Sequence, residues 1–143
     1  MLVRCLYASR AAASLSAVAL DDILVQSHRN NPRRGVTGLL CHTNEVFVQV
    51  LEGGRDEVCD LYNTIVRDER HTQVRLLAYD EIAERRFSNW TMGHVDAQTV
   101  NPSLLLKYSK TAGLDPFAIT GQATMALLME LVATGSITRR ATA

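Results

Sequence analysis

A neutral carboxamide in the middle of an apolar strand is the least ordinary feature of this sequence. In the run from Val46 to Glu52, alternation sets Gln49 between Phe47 and Leu51 on one face, opposite the uniform row Val46, Val48 and Val50. A buried amide without a partner costs about 1–3 kcal/mol, so an inward Gln49 must be hydrogen-bonded. Tyr7 is the candidate, because it carries the only side-chain hydroxyl on its face of the first strand before Ser9. If Tyr7 and Gln49 share a face, they can pair across the sheet. Periodicity alone leaves open the alternative of a solvated Gln49 on an outward face.

Other side chains stand out less. Asn30-Asn31 offers two amides at a helix end, as ligand contacts or as a C-cap, since Asn tolerates the left-handed conformation. Asp68 follows a helix and is either solvated or a polar contact. Trp90 and Met92, two apart, place an aromatic ring and a thioether on one strand face, either as core or as a functional pair. His28, His42, His71 and His94 share no spacing that converges on a metal and are expected to be surface or capped histidines, and Cys5, Cys41 and Cys59 form no zinc pattern and are expected to be buried small hydrophobes. A nucleophile elbow, a phosphate-cradling glycine loop and an HExxH pair are missing. Arg33, Arg34, Arg55, Arg67, Arg70 and Arg75 remain as possible anion partners.

These residues need a scaffold. Leu2 to Ser9 reads as a strand, broken at Ala11–Ser14. From about Ser16 the stripe Val18, Leu20, Ile23, Leu24 and Ser27 predicts a helix stopped at Asn30-Asn31-Pro32. Gly35–His42 and Val46–Glu52, separated by Thr43-Asn44-Glu45, predict an antiparallel hairpin. Val58, Leu61, Tyr62, Ile65 and Val66 recur with helical spacing. Val74–Tyr79 and Trp90–Val95 read as a fourth and a fifth strand. The order β-α-β-β-α-β-β is an α+β, ferredoxin-like plan: a five-stranded mixed sheet with two helices on one face. Helical segments at Ser103–Ser109 and Gln122–Thr134 then offer Leu104, Leu105, Leu127, Leu128, Leu131 and Val132 to the other face or to another chain.

The 143 residues, 47% hydrophobic and 21% charged, fit one ordinary domain that needs neither disulfides nor a structural metal. Fifteen basic side chains balance fifteen acidic ones, which argues against nucleic acid as the partner. No signal peptide or membrane span is expected, and a cytoplasmic setting follows as the default.

Taken together, Leu6-Tyr7-Ala8-Ser9, Asn30-Asn31-Pro32, Gly35 to Leu40, Phe47 to Gly53, Arg67 to His71 and Arg86 to Met92 resemble the BLUF family of blue-light sensors that use FAD. The resemblance runs over residues 1–95, and the remainder, 96–143, looks like the helical extension of short stand-alone members. It implies FAD with its flavin ring between the two helices, and so Tyr7 and Gln49 pointing inward as the photochemical tyrosine and the switching glutamine. By position, Ile23 and Ile65 match the residues that sandwich the ring. Asn31 matches the asparagine at its carbonyl edge, with Asn30 beside it, and Asp68 falls near that edge. Trp90 and Met92 match the fifth-strand pair that shift during signalling. Thr64 departs from the arginine found there in several members.

The resemblance implies no enzyme activity in the chain itself. Its output is expected to be protein–protein, through a homo-oligomer or a partner such as a response-regulator-like protein or an enzyme of cyclic-dinucleotide metabolism. Without the resemblance, a small ferredoxin-like enzyme or an adaptor domain lacking flavin remains an alternative.

Overall fold

The computed structural model describes residues 1–12 and 17–134. Its elements are β1 (Leu2–Ala11), α1 (Ala17–Arg34), β2 (Thr37–His42), β3 (Val46–Gly54), α2 (Arg55–Arg67), β4 (His71–Ile82), β5 (Gly93–Asp96), a 3-10 turn (Ala97–Thr99), α3 (Pro102–Leu106) and α4 (Gly121–Ala133). The expected break at Ala11–Ser14 and the helix start near Ser16 fall partly on residues 13–16, outside the described residues, as does the end of the extension beyond 134.

The five strands lie in the order β4-β1-β3-β2-β5. β1 is antiparallel to both β3 and β4, and β2 is antiparallel to β3 but parallel to β5. This is the mixed five-stranded sheet read from the sequence. Strict alternation gives the sheet two apolar faces. Val3, Cys5, Tyr7, Leu40, Phe47 and Leu51 pack under α1 and α2 with Leu24 and Val58. Leu6, Ala8, Leu39, Cys41, Val48 and Val50 pack under α3 and α4 with Leu105, Leu127, Leu128 and Leu131. The C-terminal helices therefore cover the second face, one of the two roles their leucines left open.

Four boundaries differ from the sequence reading. α1 does not stop at Pro32 but runs to Arg34. The ring costs the helix only one late hydrogen bond, and Gly35, at φ +67°, ends it instead. The expected strand Trp90–Val95 is only Gly93–Asp96, so Trp90 and Met92 lie in the segment entering it. β4 is longer than Val74–Tyr79 at both ends because β1 pairs with it along its whole length. The helix expected over Ser103–Ser109 closes at Leu106. On α2 Val58 is buried, whereas Val66 is 47% exposed, because the eighth residue along the stripe has passed the sheet edge.

Gly38 is the glycine the hairpin cannot replace: a Cβ there would sit 2.0 Å from the Val50 carbonyl oxygen. Gly38→Ala should destabilise the fold by about 3 kcal/mol, the upper range for an overpacked core position. The expected readout is a lower denaturation midpoint with an unchanged slope against denaturant.

Candidate functional site

Antiparallel pairing of β1 with β3 places Tyr7 directly beside Gln49. Both face α1 and α2, and both are buried, Tyr7 completely. The outward, solvated alternative for Gln49 is thus excluded. The Tyr7 hydroxyl donates to Gln49 Oε1. Gln49 Nε2 donates in turn to Met92 Sδ at 3.3 Å, and Met92 is buried. Three residues from three different stretches of chain form one buried polar row.

Burial pushes the Tyr7 phenol far above its ordinary range, and nearby Cys5, Tyr62 and Asp68 act in the same direction. In the ground state it is a neutral hydrogen-bond donor. The Tyr62 ring meets Tyr7 edge-on, with centroids 5.7 Å apart. Cys5, on the same strand face, has its thiol pushed up to about 12, mainly by burial, and so packs as an inert small side chain. None of the three cysteines is in a disulfide; Cys5 and Cys41 are buried as expected and Cys59 is half-buried.

Above Tyr7 and Gln49 a cleft opens to solvent between the two helices. Ile23 of α1 and Ile65 of α2 line its walls, and Asn30, Asn31 and Asp68 its polar side. All of the expected cleft residues are thereby brought together. Asn31 is buried and donates through Nδ2 to the Thr91 carbonyl at 2.8 Å. It is therefore not a mere helix cap. Asn30 has no side-chain hydrogen bond among the described residues, although its amide borders the cleft.

Asp68 is held by Arg70, whose Nη2 reaches it at 2.6 Å, and this bond keeps the carboxyl below its ordinary range. The same guanidinium nitrogen donates to Gln26 of α1 at 2.9 Å, closing one end of the cleft. Thr64 lines the cleft too, with its hydroxyl turned back onto the Asp60 carbonyl. Of the candidate arginines, Arg34 and Arg70 line the cleft and Arg67 does not.

The expected placement of Trp90 and Met92 on one strand face is corrected. Met92 packs with Tyr7 on the helix side, while Trp90 packs against the core beneath α3 and α4. They part because both precede β5, where two-residue alternation does not apply. The segment between them thus crosses the sheet edge and touches both layers.

Sequence reasoning missed His71 and Glu52. His71, read as a surface residue, borders the cleft, pairs with Ser9 Oγ at 2.8 Å and lies against Phe47; burial lowers its pKa. Extending β4 backward to His71 would have found it. Glu52 is wholly buried and binds Arg4 Nη2 at 2.8 Å and the backbone N–H of Arg86 and Phe87 at 2.9 and 2.7 Å. Its place at the end of an apolar run was the available signal. The described residues hold no cluster of His, Cys, Asp or Glu able to bind a metal.

Chemically, the arrangement suits a flat, polar-edged ring: aliphatic walls, amides at one side, and a floor made of a phenol and an amide already joined. The profile of the family described as "BLUF: Sensors of blue-light using FAD" matches residues 2–93. The chain is 39% identical over 87 residues to the photoactivated adenylate cyclase subunit beta of Euglena gracilis, a match covering 60% of this chain and 10% of that protein. It is 27% identical over 120 residues to the blue light- and temperature-regulated antirepressor BluF of Escherichia coli K12, covering 84% of this chain and 30% of that one. Among solved structures, BlsA in its photo-activated state superposes with a TM-score of 0.83 at 28% identity, over 100% of both chains. The dark-state structure of BlrB gives 0.77 at 28% identity, over 94% of this chain and 96% of that one. The chain spans only about a tenth of the cyclase subunit it matches.

Proposed function

The chain belongs to the BLUF family of blue-light sensors, and from that premise we propose that it binds FAD between α1 and α2 and turns absorbed light into a rearranged hydrogen bond at Gln49. A BLUF module is a photoreceptor rather than an enzyme; cyclase activity is named in relatives that extend far beyond the matched segment. The observation that carries the proposal is the buried row Tyr7–Gln49–Met92 beneath an open cleft.

The residues fit the group. Ile23 and Ile65 offer two apolar walls for a planar ring. The Asn30 amide, without a partner among the described residues, and the Asn31 carbonyl oxygen can meet the alternating donors and acceptors of a flavin's edge. Asp68 is already engaged by Arg70, so its role is to fix that guanidinium at the cleft mouth. Bound FAD supplies blue-light absorption and an excited state that oxidises a neighbouring phenol.

Tyr7 is the donor of choice, since its proton is held in the ground state and already aimed at Gln49 Oε1. Transfer of the proton to the amide and its return allow the Gln49 side chain to settle turned by half a revolution or as its tautomer. The turned amide presents Nε2 to the Tyr7 oxygen and Oε1 to Met92. A thioether accepts but cannot donate, so the Nε2–Sδ bond has no counterpart in the turned state. Met92 is thereby released from β3, with no net chemistry.

The release reaches both layers, because Trp90, two residues away, packs beneath α3 and α4. On this reading residues 1–95 sense and 96–143 report. The output is altered self-association or binding of a second signalling protein, such as a response-regulator-like protein or an enzyme of cyclic-dinucleotide metabolism. Among the described residues no helix is long and apolar enough to cross a membrane.

The test is the visible spectrum of purified protein supplied with FAD, before and after a blue pulse. A flavin spectrum that shifts to longer wavelength and recovers in darkness is expected. Protein that binds no flavin, or binds it without a shift, refutes the proposal.

A further inference from the structure

Three of the four histidines gather at the far edge of the sheet, in a place the sequence spacing did not suggest. His42 of β2 and His94 of β5 lie with ring centroids 6.0 Å apart. His28 of α1 approaches His94 and shares Nδ1 with the Thr91 hydroxyl at 3.3 Å. One buried ring nitrogen on each, His28 Nε2, His42 Nε2 and His94 Nδ1, has no hydrogen-bond partner. A proton on the His42 or His94 ring adds a charge where little water can solvate it.

We propose that His28, His42 and His94 form an acid-sensitive clasp on the segment from Trp90 to Met92, in which His28 is a positioning residue that holds Thr91. Within that segment Met92 Sδ accepts from Gln49, and the Trp90 N–H donates to the Phe87 carbonyl at 3.4 Å. The Trp90 carbonyl accepts from Gly38 N at 3.1 Å, the Thr91 carbonyl from Asn31, and the Thr91 side chain meets His28. Both ties to Thr91 come from α1, through Asn31 and His28, and the other two histidines stand on β2 and β5. A charged cluster pushes α1 and β5 apart and strains both.

The charges acting on the rings come from three elements. Burial lowers the pKa of His42 and His94; His94 lowers that of His42, and His28 lowers that of His94. Against this stand Asp96 of β5, which raises both, and the Thr43 backbone, which raises His42. Asp96 is partly occupied, accepting from Gln98 N at 2.9 Å. The balance favours neutral rings in the folded state. Groups whose folded pKa lies below the unfolded value stabilise the fold above about pH 6.5, and that contribution is lost as pH falls through the folded value. The clasp is thus closed at neutral pH and opens on mild acidification.

The consequence for light sensing rests on the function proposed above; the clasp itself does not. Trp90 is the only tryptophan of the chain and adjoins Thr91, so its emission reports the segment directly. The flavin-loaded chain is titrated in darkness from pH 8 to pH 5, following Trp90 emission and the exchange of backbone amides. Expected is one transition with a midpoint below about 6.5, with the Gly38 amide, which donates to the Trp90 carbonyl, losing protection at least tenfold while β1 and β3 keep theirs. The double variant H28Q/H94Q should show no such transition. Ring proton NMR of the unaltered protein adds a second readout, with His42 and His94 titrating together below the ordinary value. A flat emission profile, an unchanged transition in the variant, independent ordinary ring titrations, or simultaneous loss of protection in β1 and β3 overturns the clasp. A clasp that titrates in a protein showing no light-induced shift at any pH removes the functional reading and leaves the clasp standing.

Discussion

Gln49→Leu should leave a folded protein with flavin still bound and no light-induced spectral shift. Leucine has nearly the volume of glutamine and lies between Phe47 and Leu51, so the helix-side core stays filled. Its loss removes the one group that connects Tyr7 to Met92. The Tyr7 hydroxyl is then left without its acceptor, at a cost of about 1–3 kcal/mol, seen as a lower unfolding midpoint. Tyr7→Phe removes the other half of the couple and should also abolish the shift, while the freed Gln49 Oε1 costs a similar amount. The measurement is a difference spectrum after a blue pulse at equal flavin occupancy. A full red shift in either variant refutes the roles given to the pair.

Glu52→Ala should produce the largest loss of stability of any single substitution considered, about 3–5 kcal/mol. The carboxylate is fully buried and holds three donors at once. Removing it strands the Arg4 guanidinium, only 14% exposed, and two backbone N–H groups at Arg86 and Phe87. That is a large share of the roughly 5–15 kcal/mol available to a domain of this kind. Denaturant unfolding measures it. The double variant R4M/E52A should recover part of the loss, because the unpaired cation goes with its partner. If Arg4→Met deepens the loss instead, the stranded charge is not its source.

Those two residues illustrate what a single sequence discloses. Gln49 was legible in part: alternation marked a polar amide in an apolar run with Tyr7 as a candidate partner, and the family resemblance decided that both point inward. The two apolar faces and the leucines that cover the second were legible for the same reason, as periodicity reports local geometry. Glu52 was not: its alternation places it in the row of Val46, Val48 and Val50, and only tertiary contact with Arg4 and with the segment after β4 explains a buried carboxylate. Trp90 and Met92 were recognisable as a pair, but their separation onto opposite layers depends on where β5 begins. Four residues of strand yield too little pattern to locate that start. The histidine cluster joins the neighbouring elements α1 and β2 to β5, far along the chain, so no spacing rule anticipates it.

The sheet's second face is roofed by a tail of the same chain, with Leu127, Leu128 and Leu131 of α4 fully buried there. That helix is in effect a tethered competitor. Any protein seeking the same face must first wait for α4 to lift, and its apparent affinity is reduced by the fraction of time the face is bare. A light signal that reaches Trp90 need not create a binding surface; a small change in how often the roof opens is enough to alter who can dock.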